Sequence, residues 1–261
     1  MIRVGVGGWT FEPWRGTFFP KELPKTRELE YASRNLTSIE INGTYYSTQK
    51  PATFRRWADE TPDDFVFSLK ANRFATNRRV LAEAGPSIER FIGSGLAELK
   101  HKLGPILWQF APTKRFEAED FAAFLSLLPR ELDGLKLRHA LEARHESFRD
   151  RAFVALARKH GAAIVFAHSE KYPAIADVTA DFVYARLQGT REEVPTGYTD
   201  TEIKAWSANA RAWEKGEVPK GLPRVDERAP KKGKRDVFVY MISGAKIRAP
   251  AAAMALIAEL K

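Results

Sequence analysis

Phe182-Val183-Tyr184-Ala185-Arg186-Leu187 is short, apolar along most of its length, and interrupted by a single arginine near its end. A strand covered on both faces has this composition, because neither face meets water. Residues 163–167 upstream and 237–242 downstream have the same character. Moving outward, so do 137–143, 105–110, 65–70, 36–41 and 2–6, which makes eight runs. Amphipathic stretches separate them. Phe121, Phe124, Leu125 and Leu128 repeat at i, i+3, i+4, i+7. Phe153, Leu156 and Ala157 form a similar face, with Gly161 as the stop. Ile203, Trp206, Ala210 and Trp213 mark another helix, opened by Asp200 or Thr201 as its cap, and Pro250 suits the first position of a last one. Strand and helix alternating along the whole chain predict a parallel sheet. Eight such units in this length predict a single-domain (β/α)8 TIM-type barrel over 1–261, with an open doubly wound sheet as the alternative.

The chain has 261 residues and a net charge of +9, from 42 Lys and Arg against 33 Asp and Glu. With 44% hydrophobic residues it is not a disordered chain. It has no cysteine, which excludes disulfides, a thiol nucleophile and Cys-ligated metals, and fits a reducing, cytoplasmic setting. Met1 to Gly8 holds no long apolar run, so no signal peptide is expected, and no stretch is apolar enough for a membrane span. The charge is uneven. Residues 215–235 hold eight Lys and Arg against three Asp and Glu, a net +5 in one Pro- and Gly-rich loop between strands 7 and 8. In a barrel this connection is expected at the catalytic face, beside an anionic ligand.

Barrel active sites form where strands end. Glu40 and Asn42 lie two apart on strand 2, Glu142 and Arg144 on strand 5, and Arg186 and Gln188 on strand 7, so each pair shares a face. Lys70 ends strand 3, Gln109 ends strand 4, and His145 and His168 follow strands 5 and 6. Glu, Lys, Arg and His meeting at one mouth can hold an anion and move protons. Glu40, Glu142 and His145 are the candidate catalytic groups. Asn42, Lys70, Gln109, Arg144 and Arg186 are candidate ligand contacts, with Trp9, Trp14 and Tyr46 as an aromatic wall. The competing structural reading makes Glu40 a buried carboxylate paired with Lys70 or Arg144. No cofactor is expected. A divalent metal on the histidines and glutamates is disfavoured, because no HExxH or HxH spacing occurs. Gly5-Val6-Gly7-Gly8 lacks the third glycine of a dinucleotide loop and is read as a turn.

Several motifs resemble the YecE-like family, also called domain of unknown function 72. They are Gly7-Gly8-Trp9-Thr10 through Trp14-Arg15-Gly16, Glu40-Ile41-Asn42 with Tyr45-Tyr46, and Phe65 to Lys70. Gly104-Pro105 through Gln109-Phe110, Glu142-Ala143-Arg144-His145 and Arg186-Leu187-Gln188-Gly189 complete the set. The resemblance implies a TIM-type barrel and places Glu40, Asn42, Lys70, Gln109, Glu142, Arg144, His145 and Arg186 in a site, but implies no activity. The family pattern has His where Gln188 and Asn77 stand, and Asn-Asn where Ile242-Ser243 stand.

Three functions fit these residues. The first is binding or processing of a small, phosphate-bearing anion at the barrel mouth, by hydrolysis or isomerisation if catalytic. The second is nucleic-acid binding or a nuclease-like activity through 215–235. The third is a non-catalytic docking barrel. No membrane partner is expected.

Overall fold

The computed structural model describes residues 1–261. Eight parallel strands close a barrel: β1 Ile2–Gly7, β2 Ser38–Ile41, β3 Val66–Lys70, β4 Leu103–Gln109, β5 His139–Glu142, β6 Ala163–His168, β7 Phe182–Leu187 and β8 Asp236–Met241. Each pairs with its neighbours in sequence, and β1 also pairs with β8, Val4 opposite Val239. The helices α1 Glu28–Asn35, α2 Pro51–Asp59, α3 Gly85–Ile92, α4 Ala118–Leu127, α5 Arg151–His160, α6 Asp200–Lys215 and α7 Ala249–Glu259 accompany them in a single domain. The unit after β6 departs from the expected alternation: 169–181 is irregular, anchored by buried Ile175, Ala176 and Val178.

Alternation along each strand sorts side chains into two apolar clusters. The larger lies between sheet and helices. The smaller fills the barrel, with Val66, Phe182 and Phe238 near the strand starts and Tyr184 and Tyr240 above them. The hydroxyl of Tyr240 meets Ser38 Oγ at 2.7 Å and Ser68 Oγ at 2.6 Å, so this polar layer is satisfied inside an apolar plug. Gly5 and Gly7 belong to β1 rather than to a turn. A Cβ at Gly5 would lie 1.8 Å from the Ser38 carbonyl oxygen, so only glycine admits this approach of β2.

Helix ends follow local chemistry. α5 stops at Gly161, with φ of +65°. α6 is capped by Thr199, one residue before the expected Asp200, because Thr199 and Glu202 satisfy each other's backbone in a capping box.

The basic stretch is placed differently from expectation. α6 runs to Lys215, so the irregular part carries the chain from the end of that helix to the start of β8. Only the strand-to-helix half of a β–α–β connection lies at the strand C-termini; the helix-to-strand half returns to the opposite face. The basic stretch is therefore at the N-terminal face, away from the mouth. It is stitched down there: Ala176 N donates to Pro223 O at 2.8 Å, and buried Asp177 accepts from Val225 N at 2.7 Å and Asp226 N at 3.0 Å. No helix is long and apolar enough to cross a membrane.

Candidate functional site

At the C-terminal end of the barrel the interior becomes ionic. Arg186 of β7 is its centre. Its Nε and Nη2 donate to the two oxygens of Glu40 at 3.1 and 3.0 Å, and its Nη1 donates to Glu142 Oε2 at 2.6 Å. Both glutamates are fully buried and Arg186 is 2% exposed. Tyr184, two residues earlier on the same face, donates its hydroxyl to Glu40 at 2.7 Å. Gln109 sits opposite Glu142 in the β4–β5 register and donates Nε2 to it. Arg144 reaches the other Glu142 oxygen from above with Nε and Nη2, each at 3.3 Å. The guanidinium of Arg144 also lies 4.3 Å from the Tyr172 ring centre.

These contacts set the charges. Burial alone would raise the Glu142 carboxyl; Arg186 and Arg144 outweigh burial and hold it down at about 2. Burial alone would lower Arg186, but Glu142 and Glu40 outweigh it and raise the guanidinium above its ordinary value. Burial and the Glu40 charge push the Tyr184 phenol up, so it stays a donor. Glu40, Glu142, Arg144 and Arg186 thus form one ionised set whose hydrogen bonds are largely made internally.

Lys70, at the end of β3, differs from them. It is 8% exposed, yet no carboxylate lies within ion-pairing distance of its ammonium, which sits 4.0 Å over the Tyr45 ring centre. Burial, and then Arg186, draw it down to about 8. Gln188, on the Arg186 face of β7, buries its Nε2 without a hydrogen-bond partner.

The other candidates stand at the margin. Asn42 caps the end of β2, its Nδ2 3.4 Å from the Glu40 carbonyl; a Cβ at Gly7 would approach that nitrogen to 2.8 Å. His145 Nδ1 accepts from Ser147 N at 3.1 Å and faces Ser147 Oγ at 2.9 Å, and Ser147 Oγ itself accepts from Phe116 N at 2.8 Å. The neutral ring therefore carries its proton on Nε2. Tyr46 is 65% exposed on the turn after β2, beside Tyr45. Trp9 packs edge-on against Trp57 of α2, ring centres 5.3 Å apart, and Trp14 is fully buried with its Nε1 donating to Lys246 O at 2.9 Å. The three aromatics therefore form no common wall. His168 packs against Trp206, and its Nδ1 lies 3.4 Å from the Tyr198 hydroxyl. No three His, Asp or Glu side chains converge in an arrangement that could hold a metal ion.

Sequence reasoning missed Tyr184, Tyr45 and Tyr172. Tyr184 had a signal, since it shares the inward parity of Arg186. Tyr172 lies in the helix-free connection after β6 and had none.

The architecture has solved counterparts. A DUF72 family protein of Thermotoga maritima superposes with a TM-score of 0.72 at 22% identity, covering 98% of this chain and 97% of that one. One of Enterococcus faecalis gives 0.72 at 18% identity, covering 100% and 95%. In sequence, the UPF0759 protein YecE of Escherichia coli is 29% identical over 143 residues, 53% of this chain and 49% of the relative. The chain thus spans about half the length of the curated relatives it matches. The family model described as "Protein of unknown function DUF72" matches residues 3–261, and the chain belongs to that family.

Proposed function

We propose that the chain binds a small anionic, phosphate-bearing ligand at the C-terminal mouth of the barrel. Lys70 carries this reading. The buried layer contains two carboxylates, Glu40 and Glu142, and three cations, Arg144, Arg186 and Lys70. The arginines account for both carboxylates, so the ammonium is a surplus charge held near the surface without a counter-ion. Such a group costs stability in the free protein and is offset when an anion arrives. Arg144, tied to Glu142 on one edge, offers its remaining donor edge to the same anion. The buried Nε2 of Gln188 adds a neutral donor.

The Glu40–Arg186–Glu142 set serves in this reading as a rigid platform. A carboxylate held at about 2 is a poor proton donor near neutrality, so proton transfer falls to Lys70, poised near 8, and to His145. A purely structural plug would use the same glutamate–arginine pairs but has no use for an unpaired buried lysine.

Isothermal titration with inorganic phosphate and pyrophosphate tests the proposal. The wild type binds, and Lys70→Met and Arg144→Leu each lose most of the affinity while keeping the wild-type circular dichroism. Full affinity in Lys70→Met rules the reading out.

A further inference from the structure

We propose that the opposite, N-terminal face of the barrel carries a second binding site, for a small polyanion bearing several phosphate groups. The observation is a cavity of about 670 Å³ bounded by the starts of β5, β7 and β8, the end of α5 and the basic stretch after α6. Its volume is that of small-molecule sites, roughly 300–1,000 Å³. Six of its lining cations, Arg130, Lys159, Lys231, Lys232, Lys234 and Arg235, form no ion pair with a carboxylate. The acidic groups around it are already engaged: Asp181 by Lys136 at 2.7 Å, Asp236 by Arg138 at 2.7 Å, and Asp226 by Arg158.

Arg235 shows that the cations line a built cavity and are not merely a solvated charge run. It is 4% exposed, its Nη2 donates to Lys231 O, and its Nη1 is buried with no hydrogen-bond partner. Leaving a guanidinium N–H unpaired is costly, and like charges gathered round one hollow repel. Both costs are offset by a ligand that brings several negative charges into the space. The lining narrows the choice. Its one aromatic ring, Phe182, is 1% exposed, so no face is free to stack a base. Recognition therefore rests on phosphate groups, and the hollow shape favours a compact ligand over the rod of a duplex.

This site is independent of the mouth, and the test separates the two. The full-length protein is titrated calorimetrically with inorganic tripolyphosphate in low salt. Binding at one site is expected to weaken about tenfold or more in the triple variant Lys231→Ser, Lys232→Ser, Lys234→Ser, and to weaken with added salt as counter-ions compete. Lys70→Met is expected to leave this affinity unchanged, whereas the triple variant leaves orthophosphate binding at the mouth unchanged. The triple variant melts at the wild-type temperature or above it, because it removes repulsion without removing packing. The proposal is overturned if tripolyphosphate does not bind. It is also overturned if the triple variant binds tripolyphosphate as the wild type does, or if a short DNA duplex binds this face more tightly than tripolyphosphate.

Discussion

Replacing Arg186 with leucine is the most direct perturbation of the ionic layer. The change removes three donors, at 3.1 and 3.0 Å to Glu40 and at 2.6 Å to Glu142. Glu142 keeps Arg144 and Gln109, whereas Glu40 keeps only the Tyr184 hydroxyl. Both carboxylates remain fully buried. Stranding buried charge in this way costs about 3–5 kcal/mol. For a chain of this size that lowers the melting temperature by roughly 6–20 °C. The cost should depend on pH. In the wild type, Glu142 is held at about 2 against an ordinary 4.5, so its contribution is full above 4.5 and is lost as pH falls toward 2. Without Arg186, burial dominates Glu40, which then prefers the protonated form. The variant is accordingly least stable, relative to wild type, at neutral pH, and the gap narrows below pH 5. Urea unfolding at pH 7 and pH 4.5 reads both effects. A deficit under about 1 kcal/mol, or one that does not change with pH, would refute the assignment of Arg186 as the central counter-ion.

Other outcomes follow from single groups. Lys70→Met should stabilise the ligand-free protein at pH 7 by up to about 3 kcal/mol, since the ammonium drops from 10.5 to about 8; the gain fades as pH rises from 8 through 10.5, measured by urea midpoints across that range. Phosphate affinity of the wild type should fall as pH rises through about 8 and be flat there in Lys70→Met, by calorimetry. His139 accepts from Trp108 Nε1 at 3.0 Å through Nδ1 and meets Pro129 O at 2.7 Å through Nε2, and burial lowers it to about 4. Its stabilisation is complete above 6.5 and is lost as pH falls toward 4, so His139→Phe should show a flatter stability profile between pH 6.5 and 4.5. Thr199→Ala removes one half of the α6 capping box and should cost about 1 kcal/mol in thermal unfolding.

The barrel was legible because its strands are covered on both sides. That condition leaves unbroken apolar runs, and 163–167 and 182–187 coincide closely with β6 and β7. Ends were less legible. Leu36 reads as strand but closes α1, its N–H reaching Ala32 O, because β-branched and aliphatic residues serve both roles. The small hairpin Glu131–Leu132 and Leu135–Lys136 was overlooked although Asp133-Gly134, both at positive φ, is its turn signal. In the mouth, parity alone brought Glu40, Glu142, Arg144 and Arg186 to one place. The partners it did not give are those that closure brings across the barrel. Glu40 meets residues 184 and 186 rather than Lys70 or Arg144, a pairing that depends on the tilt and register of five intervening strands. The basic stretch was assigned to the wrong face because its strand-to-strand position was read without asking where α6 ends.

The pairing of β1 with β8 imposes a timetable on synthesis. One flank of β1 can be occupied once β2 has been made, but the other waits for Asp236–Met241. At the usual 5–20 residues per second that edge stands open for roughly 10–40 s on the ribosome. Ile2-Arg3-Val4-Gly5-Val6-Gly7 is suited to the wait. A charged arginine and two glycines make it a poor template for a stray strand from another nascent chain. The same two glycines that admit β2 and Asn42 in the finished barrel thus also keep its last seam free until the matching strand emerges.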